Sequence, residues 1–387
     1  MLDQLLTRIG SGEAFQKVKT AVNAGQTAAV YDLCDGARVF LACWLSRTLG
    51  RQVVVIAANE ASAMRMAEDS GQLMDMHPRL LAPDMPEFVQ GTSSREAQYT
   101  RMETLLKALN GEPGVTVTTA EALLTALPEV SEVRKHTIRL MTDMETDLEG
   151  LLTDLARAGY ERVDMVEGRG QFARRGAIVD IYAPDASHAV RVEFFDTVID
   201  SIRTFDCLTQ RSLDRMTSVT LPPAVMSFVP EDQRRSAAER IREYTRAQIR
   251  RLPQDMLMTG LAETDSDRRM ASRSGLGRLL EDADTLEETG FLNNAEQWAG
   301  VAWTSEAQFR QWFRDPIVII DQPDGLRDRV NDRLDGFAED LKNALERHEA
   351  VPEQSGLLMD LKILILWMPS VFLLINGFIY SNDVVDV

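Results

Sequence analysis

Between Gly168 and Thr209 the chain repeats one pattern three times: a short run alternating apolar with charged residues, then a turn. The runs are Gln171-Phe172-Ala173-Arg174-Arg175, Arg191-Val192-Glu193-Phe194-Phe195 and Ile199-Asp200-Ser201-Ile202-Arg203. A period of two is that of a strand buried on one face, so this stretch predicts an antiparallel sheet with a core side and an open side. The open positions include Arg174, Arg175, Arg191, Glu193 and Arg203, with Arg175 and Arg191 expected on adjacent strands and Phe194 and Phe195 close by. Arginine beside an exposed aromatic is the usual make-up of a protein-protein contact patch. A solvated face with ordinary ion pairs is the alternative.

The tokens that fill this pattern carry more information than their period. Gln171-Phe172-Ala173-Arg174-Arg175-Gly176, Val179-Asp180-Ile181, Arg191-Val192-Glu193-Phe194-Phe195-Asp196, Ile199-Asp200-Ser201-Ile202-Arg203, Phe205-Asp206 and Thr209-Gln210-Arg211-Ser212 follow in order. Together they resemble the UvrB-interaction-type domain shared by the excision-repair protein UvrB and the transcription-repair coupling factors (Mfd). The resemblance implies docking onto the UvrA protein. It carries the partner-binding residues onto Arg175, Arg191 and Phe195, and implies that Arg191→Ala weakens that docking without changing thermal stability.

The flanks read as a different architecture. Apolar runs at Ala28–Leu33, Val53–Ala57, Leu80–Ala82 and Val115–Thr118 alternate with helical patterns at Gly36–Leu49, Glu60–Met74 and Ser94–Ala108. That rhythm belongs to an α/β domain with a parallel sheet. After Leu221-Pro222-Pro223 a helix over 231–252 rich in arginine and glutamate follows, then a strand at Ile317–Asp321 and a helix over 325–347. The expected organisation is an α/β, UvrB-like degenerate motor lobe. Its first part is residues 1–134 and its second part 225–356, with the α+β UvrA-binding domain inserted at 135–224. Residues 357–387 form an apolar tail outside the resemblance.

A nucleotide site in such a lobe needs Gly-x-x-x-x-Gly-Lys-Ser/Thr at the first strand-to-helix turn. The glycines let backbone amides wrap phosphate, the lysine neutralises it and the hydroxyl ligates magnesium. Here the turn reads Asp35-Gly36-Ala37-Arg38, with neither lysine nor hydroxyl, and no nucleotide is expected to bind. Asp321 is expected to be a helix-capping or turn residue, because Gln322-Pro323 makes a poor magnesium site. No catalytic constellation and no metal-ligand spacing appears among the four histidines and three cysteines, so neither cofactor nor metal is expected.

The net charge of -18 argues against strong direct DNA binding by the chain as a whole. The isolated Cys34, Cys43 and Cys207 suit a reducing, cytoplasmic compartment. The resemblance stops near residue 359. The RNA-polymerase-interacting domain and the translocase that follow in the family have no counterpart here, so RNA polymerase is not expected as a direct partner. From Ile363 to Tyr380 no residue is charged. As a helix that run would span about 27 Å, barely a bilayer core, and Pro369 and Asn376-Gly377 interrupt it. The preferred reading is a truncated or frame-shifted end, poorly packed or aggregation-prone, with a membrane tail anchor as the alternative. A UvrA-recruiting adaptor without its own ATPase is the function this implies; a UvrB-like ATP-dependent subunit is the competing one.

Overall fold

The computed structural model describes residues 2–82, 95–125, 127, 129–225, 228–229, 231–251, 275–290, 309–323, 325–358, 372–375 and 385–386. In chain order the first section holds α1 (Leu2–Gly10), α2 (Glu13–Asn23), β1 (Ala28–Val30), α3 (Asp35–Leu49), β2 (Gln52–Ala57) and α4 (Glu60–Met74). It continues with β3 (Leu80–Leu81), α5 (Arg95–Leu109), β4 (Gly114–Thr119), α6 (Ala120–Leu124) and α7 (Val130–Lys135). The β2 and β4 runs are buried at every position, as strands covered on both faces must be. Helix α3 is buried over the unbroken run Val39–Ser46, and Gly50 ends it with φ +63, a left-handed turn that glycine adopts without strain. The Asn59 side chain caps α4 by accepting from the Ser62 amide at 2.9 Å.

The middle section holds β5 (Ile138–Met141), α8 (Leu148–Arg157), β6 (Glu161–Arg162), β7 (Gln171–Arg175), β8 (Ile178–Tyr182), β9 (Ala189–Phe195), β10 (Val198–Phe205), β11 (Ser212–Met216) and β12 (Ser218–Leu221). The last section holds α9 (Glu231–Ile249), α10 (Gly275–Thr289), α11 (Phe309–Trp312), β13 (Ile317–Asp321), α12 (Leu326–Glu346), a 3-10 turn (Pro352–Leu357), β14 (Phe372–Ile375) and β15 (Val385–Asp386).

Seven strands from the first and last sections form one parallel sheet in the order β15-β1-β14-β13-β2-β4-β3. Strand β13, far along the chain, pairs with β2 from Ile317 opposite Val53 to Ile320 opposite Ile56. The middle section is therefore an insertion, and its ends are tied together. Strand β5, where the chain enters, pairs antiparallel with β12, where it leaves. The Tyr160 hydroxyl donates to the Pro222 carbonyl at 2.6 Å, and the Ala224 amide donates to the Ala158 carbonyl at 2.8 Å.

One expectation about the tail is corrected. Residues 372–375 lie inside the parallel sheet, with Phe372 opposite Val318 and Leu373 opposite Ala28. Leu373 and Ile375 are buried. The physical reason is plain: Phe-Leu-Leu-Ile has no polar face, and a central parallel strand is the place where none is needed. The rest of the Ile363–Tyr380 run lies outside the described residues. Among the described residues no helix is long and apolar enough to cross a membrane.

Candidate protein-docking face

The inserted sheet runs β11-β10-β9-β8-β7-β6, antiparallel except for the short β6–β7 pair. Its strand register sorts every side chain to one of two faces. Phe172, Val179, Ile181, Val190, Val192, Phe194, Ile199 and Ile202 point to one side and pack beneath Leu151, Leu152 and Leu155 of α8. Helix α8 is fixed there by Asp147, whose carboxylate accepts from the Glu149 and Gly150 amides.

The other face buries a small apolar cluster of Val166, Ala173, Ala189 and Phe205, and beside it the register builds a charged ladder. Asp180 sits opposite Arg191, Arg191 opposite Arg203, and Arg203 opposite Arg215. Like charges in cross-strand register repel one another, so carboxylates must intervene. Arg191 forks onto Asp180 with Nε to Oδ1 at 2.7 Å and Nη2 to Oδ2 at 2.8 Å. Its Nη2 also donates to Gln210 Oε1 at 3.2 Å, and the guanidinium lies 4.6 Å from the centre of the Phe205 ring. The hydrogen bonds to Asp180 hold the Arg191 guanidinium above its ordinary pKa, with burial opposing. Arg203 donates to Glu193 at 3.2 Å, and Glu193 also accepts from the Ser201 hydroxyl at 2.7 Å.

The three residues assigned from the sequence share this face but differ in availability. Arg175 ends β7, is exposed and forms no ion pair among the described residues. Phe195 ends β9 with 78% of its surface in solvent, directly opposite Val198, which is 36% exposed. Arg191 is different: its side chain is only 16% exposed and its partner Asp180 only 2%. Arg175 and Arg191 are not on adjacent strands, because β8 runs between them. Arg174, expected on the open face, points to the other side and pairs with Glu149 of α8. Arg174 and Arg175 are consecutive in an extended strand, so they cannot share a face. The sequence reading missed Arg215 and the Asp180 fork. An aspartate in the apolar β8 run was the available signal, but only the hairpin register says which arginine it meets.

The turn where a nucleotide would sit has a different chemistry. Asp35 opens α3, and Gly36 needs no glycine: a Cβ there would touch nothing within 4 Å among the described residues. Arg38 donates to Asp321 Oδ2 at 3.0 Å and to the Leu33 carbonyl at 3.2 Å, with Asp35 a further 3.6 Å ion-pair partner. Arg38, the cation of the Asp35-Gly36-Ala37-Arg38 turn, is thus engaged within the fold. Asp321 is no cap: it ends β13, 1% exposed, while the N-cap of α12 is Gly325, which makes no side-chain cap bond. Burial pushes the Asp321 carboxyl upward and Arg38 opposes that shift. Among the described residues no group of three or more His, Cys, Asp or Glu side chains could hold a metal ion.

A parallel-sheet body thus carries an inserted antiparallel sheet with an arginine ladder on one face. Residues 138–226 match the UvrB interaction domain. The chain's similarity extends to transcription-repair coupling factors. With that of Bacillus subtilis (strain 168) it shares 27% identity over 258 residues, 66% of this chain and 22% of the relative. With those of Staphylococcus aureus strains bovine RF122 / ET3-1 and Mu50 / ATCC 700699 it shares 29% over 250 residues, 63% of this chain and 21% of the relative. The chain thus spans about a fifth of the length of the curated relatives it matches.

Proposed function

We propose that this chain recruits UvrA through the open face of its inserted sheet, and so acts as the repair-protein adaptor of a coupling-factor-like protein. The observation that carries this is Phe195, an aromatic ring left 78% in solvent on the same face as Arg175, which forms no ion pair among the described residues, within the stretch that matches the UvrB interaction domain. A monomer gains nothing from that exposure, whereas burying a phenylalanine against a partner contributes roughly 1.5–3 kcal/mol. The reading gives the chain no ATPase of its own and no direct strong DNA contact. The Arg38–Asp321 pair and the overall acidity support both. The setting is a soluble cytoplasmic one.

The test is calorimetric titration of the full chain with purified UvrA. Phe195→Ala and Arg175→Ala are each expected to weaken binding about tenfold or more, the equivalent of about 1.4 kcal/mol. Their melting temperatures should match the parent's, since neither side chain packs into the core. Parent-like affinity in both variants would remove this face from the interface.

A further inference from the structure

Arg191 is too engaged to be a free docking residue. Two of its nitrogens lie on a buried carboxylate, one also reaches Gln210, and its plane covers Phe205. What it holds in place is the β10–β11 loop, residues 206–211. That loop is closely knit: Asp206 Oδ1 accepts from the Thr209 amide at 2.7 Å and hydroxyl at 2.9 Å. The Gln210 amide donates to the Asp206 carbonyl at 2.7 Å, and Gln210 Nε2 donates to the Cys207 carbonyl at 2.9 Å. Gln210 itself is left-handed, φ +57, a conformation that a non-glycine residue keeps only when its surroundings fix it.

At the tip of this braced loop stands Leu208, 96% exposed. Exposed leucines are common, but a mobile loop would leave this one without a fixed position. Here the hydrogen bonds brace the loop backbone, so burying Leu208 against a partner adds chiefly the ordering of its own side chain. Phe195 pairs with Val198 at the start of β10, and Leu208 lies in the loop just beyond that strand's last residue, Phe205. Strand β10 separates them, and its seven steps span about 23 Å. That length matches a patch of about 800 Å², the usual contribution of one partner. Arg175, Arg211 and Arg215 are exposed and carry no ion pair among the described residues, so the inserted sheet offers positive charge that the fold does not neutralise. It complements an acidic partner surface.

We propose that the 206–211 loop is a second anchor of the docking face, with Leu208 entering an apolar notch in an acidic surface of UvrA. In this arrangement Arg191 is a positioning residue that acts through Gln210. The inference rests on the reading of this face as the UvrA site.

The experiment uses the full chain and purified UvrA, with Phe195→Ala as reference. Leu208→Ser is expected to weaken binding tenfold or more at an unchanged melting temperature. Gln210→Ala is expected to weaken it less, and to accelerate hydrogen exchange at the Thr209 and Gln210 amides, an effect that loss of a mere surface contact would not produce. If Phe195→Ala loses affinity while Leu208→Ser binds like the parent, the second anchor is overturned and the docking face stands. If the folded parent itself does not bind UvrA, the functional reading falls and this inference with it.

Discussion

Arg191 illustrates how one residue type at one position supports two opposite expectations. Read along the sequence, an arginine on a polar strand face is free to leave, and Arg191→Ala should not alter stability. In the folded sheet its guanidinium neutralises Asp180, which is 2% exposed. Removing one partner of a buried pair leaves the other charge unsolvated, which costs about 3–5 kcal/mol in interior sites. We therefore expect Arg191→Ala to unfold at clearly lower denaturant concentration than the parent, and Asp180→Asn combined with Arg191→Ala to recover part of that loss. A denaturation midpoint equal to the parent's would contradict the geometry. Loss of UvrA binding in Arg191→Ala alone would thus be ambiguous, whereas Phe195→Ala and Leu208→Ser act at exposed side chains.

At the scale of elements, the strands and helices were legible where their pattern admits one solution. Val53–Ala57 and Ile317–Ile320 are apolar at every position, too short for a buried helix, and both became inner parallel strands. Phe372–Ile375 was not legible, because it lies within a longer uncharged run whose composition suits a helix equally well. The pairing with β1 and β13 that decides the matter is a contact far away in sequence. The α3 turn shows the same division. Its residue types already spoke against phosphate, but the Arg38–Asp321 pair joins positions that no local pattern connects. The consequence is testable: ATP with magnesium should leave the melting temperature of the chain unshifted, since a ligand stabilises only what it binds. A rise with increasing ATP would restore a nucleotide site to this turn.

At the scale of the whole molecule, the strand order has a consequence for synthesis. The inserted domain is continuous in sequence, and its β5–β12 ladder closes as soon as residue 221 is available. Strand β1 has no such freedom: its partners in the sheet are β14 and β15, made more than 300 residues later. A chain leaving the ribosome must therefore carry its first strand unpaired while the later domain completes itself, the reverse of the usual amino-terminal-first order. On stalled ribosomes, nascent chains ending near residue 290 should show residues 138–226 resisting protease, while the segment around residues 13–33 is still cleaved. Protection of that segment before residue 372 is made would mean that β1 has another early partner. The inserted domain would then be finished well before the body that carries it.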